Sequence, residues 1–142
     1  MHRIMALDYG TKRTGIAVSD PTQTIAVPLR TVITKEIFLF LKAYITRESV
    51  ALFVVGLPKY LSNRPSPMTA RVNRFARILK NRFPAQQLIL QDERYTSRMA
   101  QSSLLMGGFK RKDRQYKSNL DSVSATLLLQ SFLSIKSSYK TS

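Results

Sequence analysis

The sequence contains no cysteine and no tryptophan, and its single histidine is His2. Lacking cysteine, it cannot form disulfides or thiolate metal sites and has no cysteine nucleophile, which agrees with a reducing cytoplasmic setting. Acids are scarce: Asp and Glu number 8 against 23 Lys and Arg, for a formal net charge of +15. No apolar run reaches the ~18 residues of a membrane span. The opening MHRIMALDYG also lacks the apolar stretch and small-residue cleavage site of a signal peptide. A cytoplasmic protein without a membrane association is therefore expected.

What is present is ordinary globular material with an excess of positive charge. Hydrophobic residues make up 44% of 142 positions, enough for one packed domain. A single domain is expected over 1–136, with a disordered tail over 137–142. A pI near 10.7 predicts attraction to a polyanion, because each phosphate neutralised by Lys or Arg releases condensed counterions. The charge is uneven: residues 67–142 hold 14 basic residues against Asp92, Glu93, Asp113 and Asp121. Solubility or an anionic membrane surface is the plainer reading of such charge, and nucleic acid the sharper one.

Arg3–Asp8 reads as a short apolar strand, Thr14–Ser19 as a second and the β-branched Thr24–Val32 as a third, joined by turns at Tyr9–Lys12 and Ser19–Pro21. Ile37, Phe38, Leu41 and Ile45 recur at helical spacing. Val50–Val55 is a continuous apolar run, as a parallel strand covered on both faces requires. Lys59–Pro67 reads as a loop. Met68–Phe83 reads as a helix with Val72, Phe75, Ala76, Leu79 and Phe83 on its apolar stripe and Arg71, Arg74, Arg77 and Arg82 off it. Leu88–Leu90 reads as a strand and Thr96–Met106 as a helix ended by Gly107-Gly108. A basic loop from Lys110 to Lys117 then leads to a last helix over about Leu120–Leu133. Hairpins followed by alternating strands and helices give an α/β domain with a mixed central sheet and helices on both faces.

With so few acids, their positions carry information. Asp8 and Glu93 each follow an apolar strand, at the carboxyl edge where open α/β sheets bind ligands. Asp121 lies in the first turn of a helix with no other charge until Lys136, and its neighbours at helical spacing are Ala125, Leu128 and Phe132. Each acid also has a plainer reading. Asp8 fits a turn cap before Gly10, Asp92 and Glu93 fit caps for the next helix, and Asp121 fits compensation of a helix dipole. A carboxylate cluster without cysteine suits hard cations, Mg²⁺ or Mn²⁺. Lys12 and Arg13 follow Asp8, Arg94 follows Glu93, and Lys110, Arg111, Lys112 and Lys117 precede Asp121. Cations beside an acid cluster suit a phosphodiester, whose phosphates must be held while metal assists cleavage. Tyr9, Tyr60, Tyr95 and Tyr116 fit base stacking or, more simply, packing.

Four blocks in order resemble the YqgF/RuvX family of pre-16S rRNA nucleases and Holliday-junction resolvase-like proteins. They are Leu7–Asp20 (LDYGTKRTGIAVSD), Val54–Pro58 (VVGLP), Asp92–Ser97 (DERYTS) with Ala100, and Lys117 leading to Asp121–Ala125 (DSVSA). The resemblance spans nearly the whole chain. It implies a ribonuclease H-like fold with an acidic triad on Asp8, Glu93 and Asp121, and metal-dependent hydrolysis that matures the 5′ end of small-subunit ribosomal RNA. It departs from the family after Gly-Leu-Pro, where Ser62-Asn63 stands in place of an Asp-Gly turn.

The resulting expectation is a nuclease in which Asp8 bridges two cations ~3.5–4 Å apart, completed by Glu93 and Asp121. Lys12, Arg13, Arg94, Lys110, Arg111, Lys112 and Lys117 would bind the nucleic acid. RNA is favoured over DNA, ribosome precursors are the expected partner, and a monomer or weak homodimer suffices. The alternatives are a Holliday-junction DNA resolvase, which needs a dimer for paired cuts, and a nucleic-acid-binding protein without turnover.

Overall fold

A computed structural model describes residues 2–58, 66–92 and 117–140, with the side chains of 117–121 and 137–140 excluded. Five strands form one sheet: β1 (Arg3–Asp8), β2 (Arg13–Ser19), β3 (Ala26–Ile33), β4 (Val50–Leu57) and β5 (Gln87–Asp92), in the order β3-β2-β1-β4-β5. The β1–β2 and β2–β3 pairs are antiparallel, whereas β1–β4 and β4–β5 are parallel. The sheet is therefore mixed, as the two opening hairpins and the later crossovers require. α1 (Ile37–Arg47) and α2 (Thr69–Arg82) connect the parallel strands, and α3 (Lys117–Lys140) closes the described chain.

Strand alternation sorts the core into two layers. Met5, Leu7, Ile16, Val18, Phe53 and Val55 face α1 and α2, meeting Ile37, Leu41, Val72, Phe75 and Leu79. Ile4, Ala6, Ala17, Leu52 and Val54 face α3, meeting Ala125, Leu128, Leu129 and Leu133. β4 contributes to both layers, which is why its sequence is apolar throughout rather than alternating. Each fully buried Leu, Ile or Phe here contributes about 1.5–3 kcal/mol by leaving water.

Differences from the sequence reading have local causes. β3 begins at Ala26 rather than Thr24 because the Asp20 carboxylate accepts hydrogen bonds from the backbone N–H groups of Thr24 and Ile25, both at 2.7 Å. Those amides are drawn into a loop and cannot enter a ladder, despite the β-branched side chains. The last helix extends to Lys140, so 137–140 is helical where a disordered tail is expected; the stretch 117–140 holds no glycine or proline to end it. The expected loop at 59–65, including Ser62-Asn63, and the expected helix over Thr96–Met106 lie outside the described residues.

Candidate active site at the carboxyl edge of the sheet

Asp8 ends β1 and is half-buried. In the alternation it follows Ile4 and Ala6, so it shares the face covered by α3. Its antiparallel partner is Gly15, and Gly15 in turn pairs with Thr31 of β3. Gly15, which places no side chain between Asp8 and Thr31, is itself buried.

The direction of α3 is fixed at both ends. Near its start, Ser122 Oγ lies 2.8 Å from Thr31 Oγ1, which ties it to the row that contains Asp8. Near its end, Lys136 donates a hydrogen bond to Gln23 Oε1 in the β2–β3 loop, at the opposite edge of the sheet. From Ser122 at the carboxyl edge of β1, the helix therefore runs back across the sheet for ~21 Å to Lys136. Its first buried turns carry small residues, Ser122, Ala125 and Thr126, against Ala6 and Ala17. Small side chains on both surfaces let the backbones approach closely, and bulkier Leu128, Leu129 and Leu133 follow further along. Asp121 immediately precedes Ser122, with Ala125 and Leu128 fully buried below it, as the sequence spacing predicts. The placement of its side chain lies outside the described residues.

β5 brings the third element to the same edge. The parallel register matches Leu7 with Val55 and Val55 with Leu90, and Leu57 with Asp92. Leu88 packs into the α1/α2 layer, whereas Gln91 Nε2 donates 3.4 Å to the Leu128 carbonyl of α3. Odd positions of β5 therefore point toward α3 and even positions away, so Asp92 is on the face opposite Asp8. Glu93, Arg94, Lys110, Arg111 and Lys112 lie outside the described residues, as does the side chain of Lys117.

The turn that carries the first cations is held in place. Thr34 donates its hydroxyl to the Gly10 carbonyl at 2.6 Å, its N–H to the Lys12 carbonyl at 3.0 Å, and its Oγ1 also lies 2.9 Å from Thr14 Oγ1. A Cβ on Gly10 would come within 2.3 Å of the Arg13 carbonyl oxygen, so only glycine fits this turn. Lys12 is exposed and Arg13 half-buried on the edge beside Asp8. Tyr9 is not free to stack on bases: its ring stacks on Phe75 of α2 at 4.6 Å. Thr31, Thr34 and Ser122 escape sequence reasoning, because hydroxyl residues in a β-rich segment and a helix acquire meaning only once the strands are paired.

On this face of the edge the described acid is Asp8, which offers carboxylate oxygen. His2 lies at the opposite edge, hydrogen-bonded to Ser49, and so does not belong to the site. Asp20 is also absorbed structurally, as the acceptor of the 20–25 loop. Its carboxyl is held well below the usual range, first by the Thr22 hydroxyl and then by the Ile25 amide and the Thr24 groups. Among the described residues no group of three metal-ligating side chains occurs, since two of the three expected acids fall outside them. An all-oxygen donor set fits a hard divalent cation.

A family model described as RuvX, Holliday junction resolvase, matches residues 2–135. A protein of Amoebophilus asiaticus named "Putative pre-16S rRNA nuclease" is 50% identical over 140 residues, covering 99% of this chain and 97% of its own. A Bacteroides thetaiotaomicron protein of the same name is 46% identical over 136 residues, covering 96% and 99%. Among solved structures, Thermus thermophilus RuvC in complex with a Holliday junction substrate superposes with a TM-score of 0.58 at 13% identity, covering 95% of this chain and 96% of that one. At that identity the likeness is one of fold, and the fold is ribonuclease H-like.

Proposed function

The chain belongs to the RuvX family, and from that premise we propose that it is a metal-dependent nuclease that trims the 5′ end of pre-16S rRNA. The observation that carries the reading is the Thr31–Ser122 bond, which brings the early turns of α3 to the edge and face where Asp8 ends β1, with Asp121 the residue before Ser122 in sequence. The alternation of β5 turns Asp92 away from α3, which supports the choice of Glu93 rather than Asp92 as the third acid.

In this reading Asp8, Glu93 and Asp121 hold Mg²⁺ or Mn²⁺, two ions being the arrangement expected. When bound, the metal supplies an activated water as nucleophile and positive charge for the leaving oxygen. The chain's own work is to bind and orient. Lys12 and Arg13, on the turn braced by Thr34, hold phosphates flanking the scissile bond, and Arg94, Lys110, Arg111, Lys112 and Lys117 extend that contact. The packed small residues of α3 and the sheet hold β1, with Asp8, firmly against α3, as a site needing ångström-level placement requires. The chain acts in the cytoplasm as a monomer or weak dimer. No described helix is long and apolar enough to cross a membrane.

Cleavage of a four-way DNA junction is the second reading, favoured by the description of the matching family model. The test compares an rRNA precursor, single-stranded RNA and a DNA junction, each with Mn²⁺ and with EDTA, for the wild type and Asp8→Asn. Mn²⁺-dependent cutting of the precursor by the wild type alone, with binding by Asp8→Asn retained or tightened, is the result expected. Preference for the junction would transfer the assignment to DNA. Wild-type turnover in Asp8→Asn would remove Asp8 from the site.

A further inference from the structure

α2 reads TARVNRFARILKNR, with five basic residues and no acid in 14 positions. Its buried side, Val72, Phe75, Ala76 and Leu79, is spent on the core, and Arg71, Arg74, Arg77, Lys80 and Arg82 are all exposed. A helix face that served only solubility would mix signs, because like charges three apart repel and opposite charges four apart attract. Here Arg71, Arg74 and Arg77 follow one another at intervals of three and make no ion pair among the described residues. That self-repulsion is relieved by a polyanion.

The position of the helix gives the charge a use. α2 lies on the sheet face opposite α3, yet it starts at the same edge as Asp8, since it follows the carboxyl end of β4. The stack of Tyr9, next to Asp8, on Phe75, next to Arg74, joins the two directly. On its other flank a groove runs between α2 and β5, lined by Ala70, Asn73, Arg77, Lys80, Leu88 and Leu90, with cations along an apolar floor. On the flank toward α1, Arg82 is held over the Phe38 ring at 4.6 Å.

We propose that the exposed face of α2 is a second phosphate-binding track, which carries the part of the nucleic-acid strand that lies beyond the scissile bond. The proposal rests on the nuclease reading and adds a surface to it. Arg71 to Arg77 covers ~9 Å of helix, about three phosphates of a stacked strand. The track increases affinity for long substrates without taking part in the chemistry.

The test uses Arg71→Gln/Arg74→Gln/Arg77→Gln in the full chain, with an unchanged melting temperature as the check on folding and Arg74→Gln alone as a milder second variant. Binding of a long single-stranded RNA is measured against salt in EDTA, and Mn²⁺-dependent cleavage is measured on that RNA and on a short oligonucleotide confined to the site. The track predicts a salt slope lower by about 2 for the triple variant, at ~0.7 per lost phosphate contact, and about a third of that for Arg74→Gln. It predicts a raised KM with unchanged kcat on the long RNA and no change on the short one. An unchanged slope and KM, while the wild type still cleaves, overturn the track and leave the nuclease reading intact. If the wild type cleaves neither RNA, the nuclease reading falls, and the binding arm alone decides the track. Loss of binding to phosphatidylglycerol vesicles with RNA binding intact would assign the face to a membrane and overturn the proposal.

Discussion

Thr31 Oγ1 of β3 and Ser122 Oγ of α3 lie 2.8 Å apart, although 91 positions separate them in the chain. This bond ties the start of the last helix to the strand row that contains Asp8. A double-mutant cycle of Thr31→Val and Ser122→Ala is expected to give a coupling energy of about 0.5–1.5 kcal/mol in urea unfolding. Cleavage should fall in each single variant by more than the small unfolded fraction explains, because the acids lose alignment. Additive stabilities with wild-type cleavage would show that the bond positions nothing.

Gly10→Ala tests the turn after Asp8. The new Cβ meets the Arg13 carbonyl oxygen at 2.3 Å, so the backbone must shift and strain the two hydrogen bonds from Thr34. A loss of about 1–3 kcal/mol is expected, together with weaker substrate binding through Lys12 and Arg13. A variant that melts and binds like the wild type would mean the turn relaxes freely.

Asp20→Asn tests the loop that shortens β3. Hydrogen bonds from Thr22, Ile25 and Thr24 hold the folded carboxyl below its ordinary value of 3.8, so the folded state favours the ionised form. Such a group stabilises the fold fully above its ordinary pKa and loses that contribution as pH falls through the range below it. The variant should therefore melt below the wild type at pH 7, and the gap should narrow on acidification below about pH 4. Melting curves across pH check this. A gap that stays constant with pH would mean that the charge on Asp20 contributes nothing.

β1, β2, β4 and α2 are legible in sequence because their periodicity and burial agree: Arg3–Asp8 matches β1 at both ends, and Val72, Phe75, Ala76 and Leu79 of α2 are buried as spaced. What escapes is set by tertiary or local hydrogen bonding. Thr24 and Ile25 have strand-forming side chains, but Asp20 takes their amides. Ser137 and Ser138 read as tail, yet nothing in the segment breaks the helix. At the site, the edge position of Asp8 is legible because it ends an apolar run. The facing of Asp8 toward α3, and of Asp92 away from it, depends on which layer each strand position joins, and that is settled only by the packing of the helices.

We propose that Asp8, Glu93 and Asp121 converge on divalent metal, and metal-free stability tests this without any substrate. Converging carboxylates repel one another when no cation is present, and each disfavours ionisation of the others. Thermal melts of the wild type and Asp121→Asn should be recorded with EDTA and with millimolar Mn²⁺. The account predicts that Asp121→Asn melts higher than the wild type in EDTA. It also predicts that Mn²⁺ raises the wild type by binding only the folded state, with a gain of about RT ln(1 + [Mn²⁺]/Kd), and raises the variant less. If Asp121→Asn instead melts lower in EDTA, as loss of a charge at a helix N-terminus would cause, and both proteins respond equally to Mn²⁺, the triad assignment is wrong at Asp121.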